Sequence, residues 1–169
     1  MSHVIIACII VLSIFIIILF LITMHNNRLK ARTNSILSCF NQAGIVHNLS
    51  ITGQEILPDK VLGLDGPKGK LLLTEEKDGE YSTRVVDLRE IAACTVKKVY
   101  AAIKSHEYRK NRPEDHLMSI ALELEFIAGN APMTVLFYKN TVNSIYELPQ
   151  LETRAKNWAT LLSTLKVSS

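Results

Sequence analysis

Twenty consecutive uncharged residues, VIIACIIVLSIFIIILFLIT, run from Val4 to Thr23, and they constrain this chain more than any other feature. Only Ser13, Thr23 and the Cys8 thiol carry polar side-chain atoms. At about 1.5 Å rise per residue such a segment makes a helix of roughly 30 Å, which matches the hydrocarbon core of a bilayer. In lipid the backbone must satisfy its own hydrogen bonds, so a single pass is helical. A cleaved secretory signal would want a basic start, a shorter apolar core and small residues at a cleavage site. Met1-Ser2-His3 carries no Lys or Arg, and Ile22-Thr23-Met24-His25 is a poor cleavage site. The expectation is a retained single-pass anchor.

Orientation follows from Arg28, Lys30 and Arg32, which come directly after the apolar segment, with no Lys or Arg before it. The positive-inside rule puts the N-terminus outside and the rest of the chain in the cytoplasm, at a cell (inner or plasma) membrane. Apart from these three topology-determining cations, 16 of the 19 basic residues remain, set against 16 acidic ones. A formally neutral domain argues against a nucleic-acid partner. Three cysteines at wide spacing make no disulfide framework, and reduced thiols suit a cytoplasmic domain. The length divides into an anchor over 1–27, a juxtamembrane helix and linker over 28–48, and one domain over 49–169.

Leu29, Ile36, Phe40 and Ala43 recur at helical spacing, and Gly44 supplies a stop, so a helix is expected over about 27–43. Such a helix could lie on the domain or pair with a second copy. Beyond Gly44 the chain reads as seven short strands: 49–57, 60–65, 70–76, 81–88, 91–100, 119–126 and 133–139. Gly66-Pro67-Lys68-Gly69 and Lys77-Asp78-Gly79 mark hairpins between them. The glycines before Lys70 do not have phosphate-loop spacing, and a hairpin explains them. In Ser119–Phe126, Ile120, Leu122, Leu124 and Phe126 alternate with Ser119, Ala121, Glu123 and Glu125, which predicts one dry and one wet face. A final helix near 146–165 carries Leu151, Ala155, Trp158, Leu162 and Leu165 on one stripe, opposite Glu152, Arg154, Lys156 and Asn157.

The longest irregular stretch is 101–117. Its Lys104, Arg109, Lys110 and Arg112 are the candidates for binding a partner or an anionic surface, because function concentrates on long loops. The same stretch holds His106 and His116 near Glu114 and Asp115, the one place where a metal-dependent enzyme could be argued. No catalytic motif, His pair at ligand spacing, CxxC or GxSxG elbow occurs, so no catalytic residue, resident metal or cofactor is expected.

The runs KVLGLDGPKGKLLL (60–73) and TRVVDLREIAACTVKK (83–98), and the order of seven strands followed by a helix bearing Trp158, resemble membrane-anchored bacterial pleckstrin-homology-like (PH-like) proteins. That resemblance implies a mainly β (α+β) fold, in which a seven-stranded bent barrel is capped by the C-terminal amphipathic helix. It implies a module that binds peptides or proteins at sheet edges or in the groove beside the last helix. Phosphoinositide-binding members carry several basic residues around their first hairpin. Ser50 to Asp65 holds only Lys60, so no specific phosphoinositide site is carried over. The resulting expectation is a membrane-tethered binding or scaffold module acting on a protein partner or on a second copy of itself. The competing readings are a structural subunit of an envelope assembly that makes contact through its transmembrane helix, and an enzyme built on the 101–117 loop.

Overall fold

In the computed structural model the described backbone covers residues 2–101 and 116–167, and the side chains of 2–13, 22, 25–32 and 167 are not part of the description. A first helix, α1 (Ser2–Val46), leads into seven strands. These are β1 (Gly53–Leu57), β2 (Lys60–Asp65), β3 (Lys70–Lys77), β4 (Glu80–Asp87), β5 (Ile91–Tyr100), β6 (Leu117–Phe126) and β7 (Met133–Lys139). A second helix, α2 (Leu148–Val167), follows. The molecule is mainly β. The strands make two antiparallel sheets, β1-β2-β3-β4 and β5-β6-β7.

Two expectations change. The strands form two sheets rather than one closed barrel. The break falls at the 3-10 turn Leu88–Glu90, whose buried Leu88 and Asp87 cap swing the chain out of the first sheet. The anchor and the juxtamembrane helix, expected as two elements, are one continuous helix. No proline interrupts 2–46, and Gly44 costs a helix only about 1 kcal/mol. Among the residues whose side chains are described, no helix is long and apolar enough to cross a membrane, and 2–13 lie outside that set.

The hairpins form as their residues dictate. Lys77 pairs with Glu80 across Asp78 and Gly79, both at positive φ (55° and 84°), the conformation a two-residue type I′ turn requires. Between β2 and β3 the buried Asp65 carboxylate accepts the backbone N–H of Ser50 (2.7 Å) and of Lys68 (3.0 Å), which fixes the Gly66–Gly69 loop.

The two central strands of the first sheet are covered on both faces. Every residue of β2 is buried, and so are Leu71–Thr74 of β3. Leu62, Leu64, Leu71 and Leu73 point into the main core with Ile120, Leu122, Leu124, Val135 and Phe137 of the second sheet. Val61 and Leu72 point the other way, into a cluster with Ile36 and Phe40 of α1. Each such fully buried side chain contributes about 1.5–3 kcal/mol. The C-terminal part of α1 is therefore a third layer of the domain.

The stripe on α2 lies where its spacing predicts. Leu151, Ala155, Trp158 and Leu162 are buried in the main core, and Leu165 packs against it. Along β6, Ile120, Leu122 and Leu124 are buried while Glu125 is exposed, and Glu123 bonds Lys97 across the strands at 2.7 Å.

Candidate functional site

The groove beside the last helix, one of the two binding places the resemblance implies, is closed along most of its length by polar ties. On the β1 side the Glu55 carboxylate accepts the indole N–H of Trp158 (2.9 Å) and the Arg154 guanidinium. Arg154 also donates to the Ile56 carbonyl (3.0 Å). On the β5 side Lys98 reaches Glu152 (2.8 Å), which Lys156 also holds (2.6 Å), and Lys166 donates to the Ala92 carbonyl. The hydrogen bond from Lys156, then that from Lys98, keeps the Glu152 carboxyl below its ordinary range.

What stays open is the N-terminal end of α2. Two shallow grooves meet there and share Pro58 and Asn143. One, of about 290 Å³, lies between Thr33 of α1, Ile56 and Leu57 of β1, and Gln150 and Arg154 of α2. The other, of about 190 Å³, lies between the β1–β2 turn, the end of β7 and Val142. Each is smaller than a typical small-molecule pocket of about 300–1,000 Å³, and suits one or two side chains of a partner rather than a whole substrate.

The loop between β7 and α2 that borders both grooves is tightly built. The backbone N–H groups of Val142 and Asn143 donate to the Lys139 carbonyl (2.9 and 2.8 Å). Asn143 returns its side-chain oxygen to the Lys139 N–H (3.0 Å). Ser144 and Glu147 form a capping box over the 3-10 turn Ile145–Glu147. The sequence carries the signal for that box, a Ser followed three residues later by Glu, but nothing in it marks the turn as a site. With its polar groups turned inward, the loop leaves Val142 65%, Ile145 45% and Tyr146 90% exposed.

The candidate binding residues Lys104, Arg109, Lys110 and Arg112 lie outside the described residues, as do His106, Glu114 and Asp115. The base of their loop is defined, because the Ala101 N–H donates to the His116 carbonyl at 2.8 Å. The side chains of Arg28, Lys30 and Arg32 are likewise outside the description, and their backbone belongs to α1. Among the described residues no group of three His, Cys, Asp or Glu side chains could hold a metal ion. Burial pushes the Cys94 thiol up to about 11, far from the range of a reactive nucleophile. No protein-family model matches the chain, and neither does any curated protein or solved structure.

Proposed function

We propose that this chain is a single-pass, membrane-tethered binding module that holds a PH-like domain against the cytoplasmic face of a membrane for a protein partner. The observation that carries the reading is the continuity of α1. Ile14 to Leu21, eight large apolar side chains in a row, are 47–65% exposed around the whole circumference of the helix. A helix that is apolar on every side needs lipid or a protein interior around it. Further along the same helix, Ile36 and Phe40 are buried against the first sheet. A tether of this kind confines module and partner to one surface and raises their effective concentration without any new contact. Support for the PH-like reading comes from the seven antiparallel strands and from the closing helix with its buried Trp158.

The test has two arms. Alkaline carbonate washing of native membranes should leave the full chain in the pellet, and protease added outside intact cells should leave residues 33–169 uncut. Release by carbonate, or digestion from outside, defeats the tether and its orientation respectively. For the partner, photocrosslinkers at Ser105 and Asn111, between Lys104, Arg109, Lys110 and Arg112, should capture a discrete protein. Reversing those four charges should weaken the capture, as should added salt. Capture that is indifferent to both removes these residues from the binding surface.

A further inference from the structure

We infer that the end of the domain bearing the β7–α2 loop is a lipid-contacting surface, which rests on the membrane-facing headgroup layer and fixes how the domain stands on its anchor. This rests on the tether proposed above and specifies which surface faces the bilayer.

The direction of α1 against the first sheet identifies that end. Thr33 lines one groove with Pro58 of the β1–β2 turn, whereas Asn48, just past the helix, accepts a bond from Lys68 in the β2–β3 loop. The sheet therefore has one end toward the apolar segment, marked by Pro58 and Asn143, and the opposite end at Gly66–Gly69. The second sheet presents its own exposed apolar side chains at the first of these ends. The Asn140 N–H donates to the Met118 carbonyl (3.0 Å), which ties the β7–α2 loop to the start of β6. Tyr100 pairs with Leu117, and Val99 with Ser119. Val99, Tyr100, Met118, Val142, Ile145 and Tyr146 are thus large exposed apolar residues gathered at one end of the molecule.

Two features favour a lipid surface over a protein there. Two of the six are tyrosines, whose amphipathic rings favour the membrane–water interface. Of the carboxylates at this end, Glu147 is turned back onto the Ser144 N–H (3.1 Å) and the Asn143 amide (3.2 Å), and Asp59 pairs with Lys60 (3.2 Å). Thr33 comes ten residues after Thr23, about 15 Å along the helix. A tilt of about 20°, ordinary for single helices, lowers one side of a rigidly attached domain onto the headgroups.

The test uses the full chain with Cys8, Cys39 and Cys94 replaced by Ala, reconstituted in phosphatidylcholine–phosphatidylglycerol vesicles. Single nitroxide labels are placed at Val142→Cys, Tyr146→Cys, Lys68→Cys and Ser13→Cys. Collision with oxygen is compared with collision with a water-soluble nickel chelate. The expected result is severalfold greater relative oxygen exposure at 142 and 146 than at 68, with 13 deepest. If 13 is immersed but 142 and 146 match 68, the tether stands and this inference falls. If 13 is as wet as 68, the tether itself fails and the inference goes with it. Shielding of 142 and 146 from both reagents that vanishes when the protein is diluted in lipid would put a second copy on the patch, and also overturns it. Val142→Ser, Ile145→Ser and Tyr146→Ser together, all at exposed positions, should move a label at Met118→Cys toward water without loss of fold.

Discussion

Gly63 sits in the middle of β2, beneath the ring of Phe40. A Cβ built there would lie 2.8 Å from Phe40 Cε2, nearer still to Cζ, and 3.3 Å from a methyl of Ile51. The ring is fully buried and has nowhere to retreat. Gly63→Ala should therefore destabilise the protein by about 1–3 kcal/mol, the usual cost of overpacking. The check is a urea melt in detergent with Phe40→Leu as second site. The double variant should recover part of the loss, and purely additive losses would show that the two residues do not share the space. Asp65 makes a second demand at this scale. Burial alone would raise its carboxyl, but the N–H groups of Ser50 and Lys68 and the Lys68 charge outweigh that and hold it below its ordinary value. Asp87 is depressed further, chiefly by the Arg89 side chain, then by the Arg89 backbone N–H and by Lys70. For both, the folded state binds its proton later than the unfolded chain, whose aspartates titrate near about 3.9. Their contribution is complete above that pH and is lost as pH falls through the lower folded values. The urea midpoint should accordingly decline below about pH 4. Asp65→Asn should cost about 1–3 kcal/mol at neutral pH, since its amide NH₂ faces a donor, and should flatten the acid decline.

At the scale of elements, the ties across α2 show where the polar atom of Trp158 goes. Trp158→Phe keeps the buried ring but removes the bond to Glu55, and should cost about 1 kcal/mol beyond the change in packing. Glu55→Gln should show that coupling in a double-mutant cycle with Trp158→Phe; a coupling energy of zero would mean the contact contributes nothing to stability. Much of this layer was legible beforehand. β2, β5 and β7 begin and end where the turn residues place them, and the α2 stripe is the buried one, because local periodicity and turn chemistry decide both. The expected first strand at 49–57 shortens to 53–57, since Leu49 and Ile51 belong to the α1 cluster rather than to the sheet. The double-faced burial of β2 and β3 was signalled only by the near-continuous apolar runs in VLGL and KLLL, and a single-face reading passes over it. The grooves at Pro58 and the exposed end of the β7–α2 loop were not legible. They arise where three elements distant in sequence converge, and no spacing along the chain encodes that meeting.

For the whole molecule, the question is where the folded unit begins. Composition changes after Gly44, which suggests a domain starting near residue 49. The packing places Ile36 and Phe40 over Val61 and Leu72, with Leu37, Ala43, Leu49, Ile51 and Val85 around them. A fragment starting at residue 33 keeps this cluster and sheds the apolar segment. One starting at 49 bares Val61 and Leu72 to water and leaves a void where two fully buried side chains stood. Removing a buried Ile or Phe costs about 2–5 kcal/mol each, comparable in sum to the whole stability of a domain this size, about 5–15 kcal/mol. Fragment 33–169 should be monomeric or nearly so without detergent and should melt cooperatively. Fragment 49–169 should aggregate or melt without a sharp transition. Equal cooperativity in the two would mean that α1 merely lies against the sheet. A folded 33–169 paired with an unfolded 49–169 would instead make the end of the anchor helix part of the domain, so that a twist or tilt imposed on it in the bilayer is passed directly to the strands it covers.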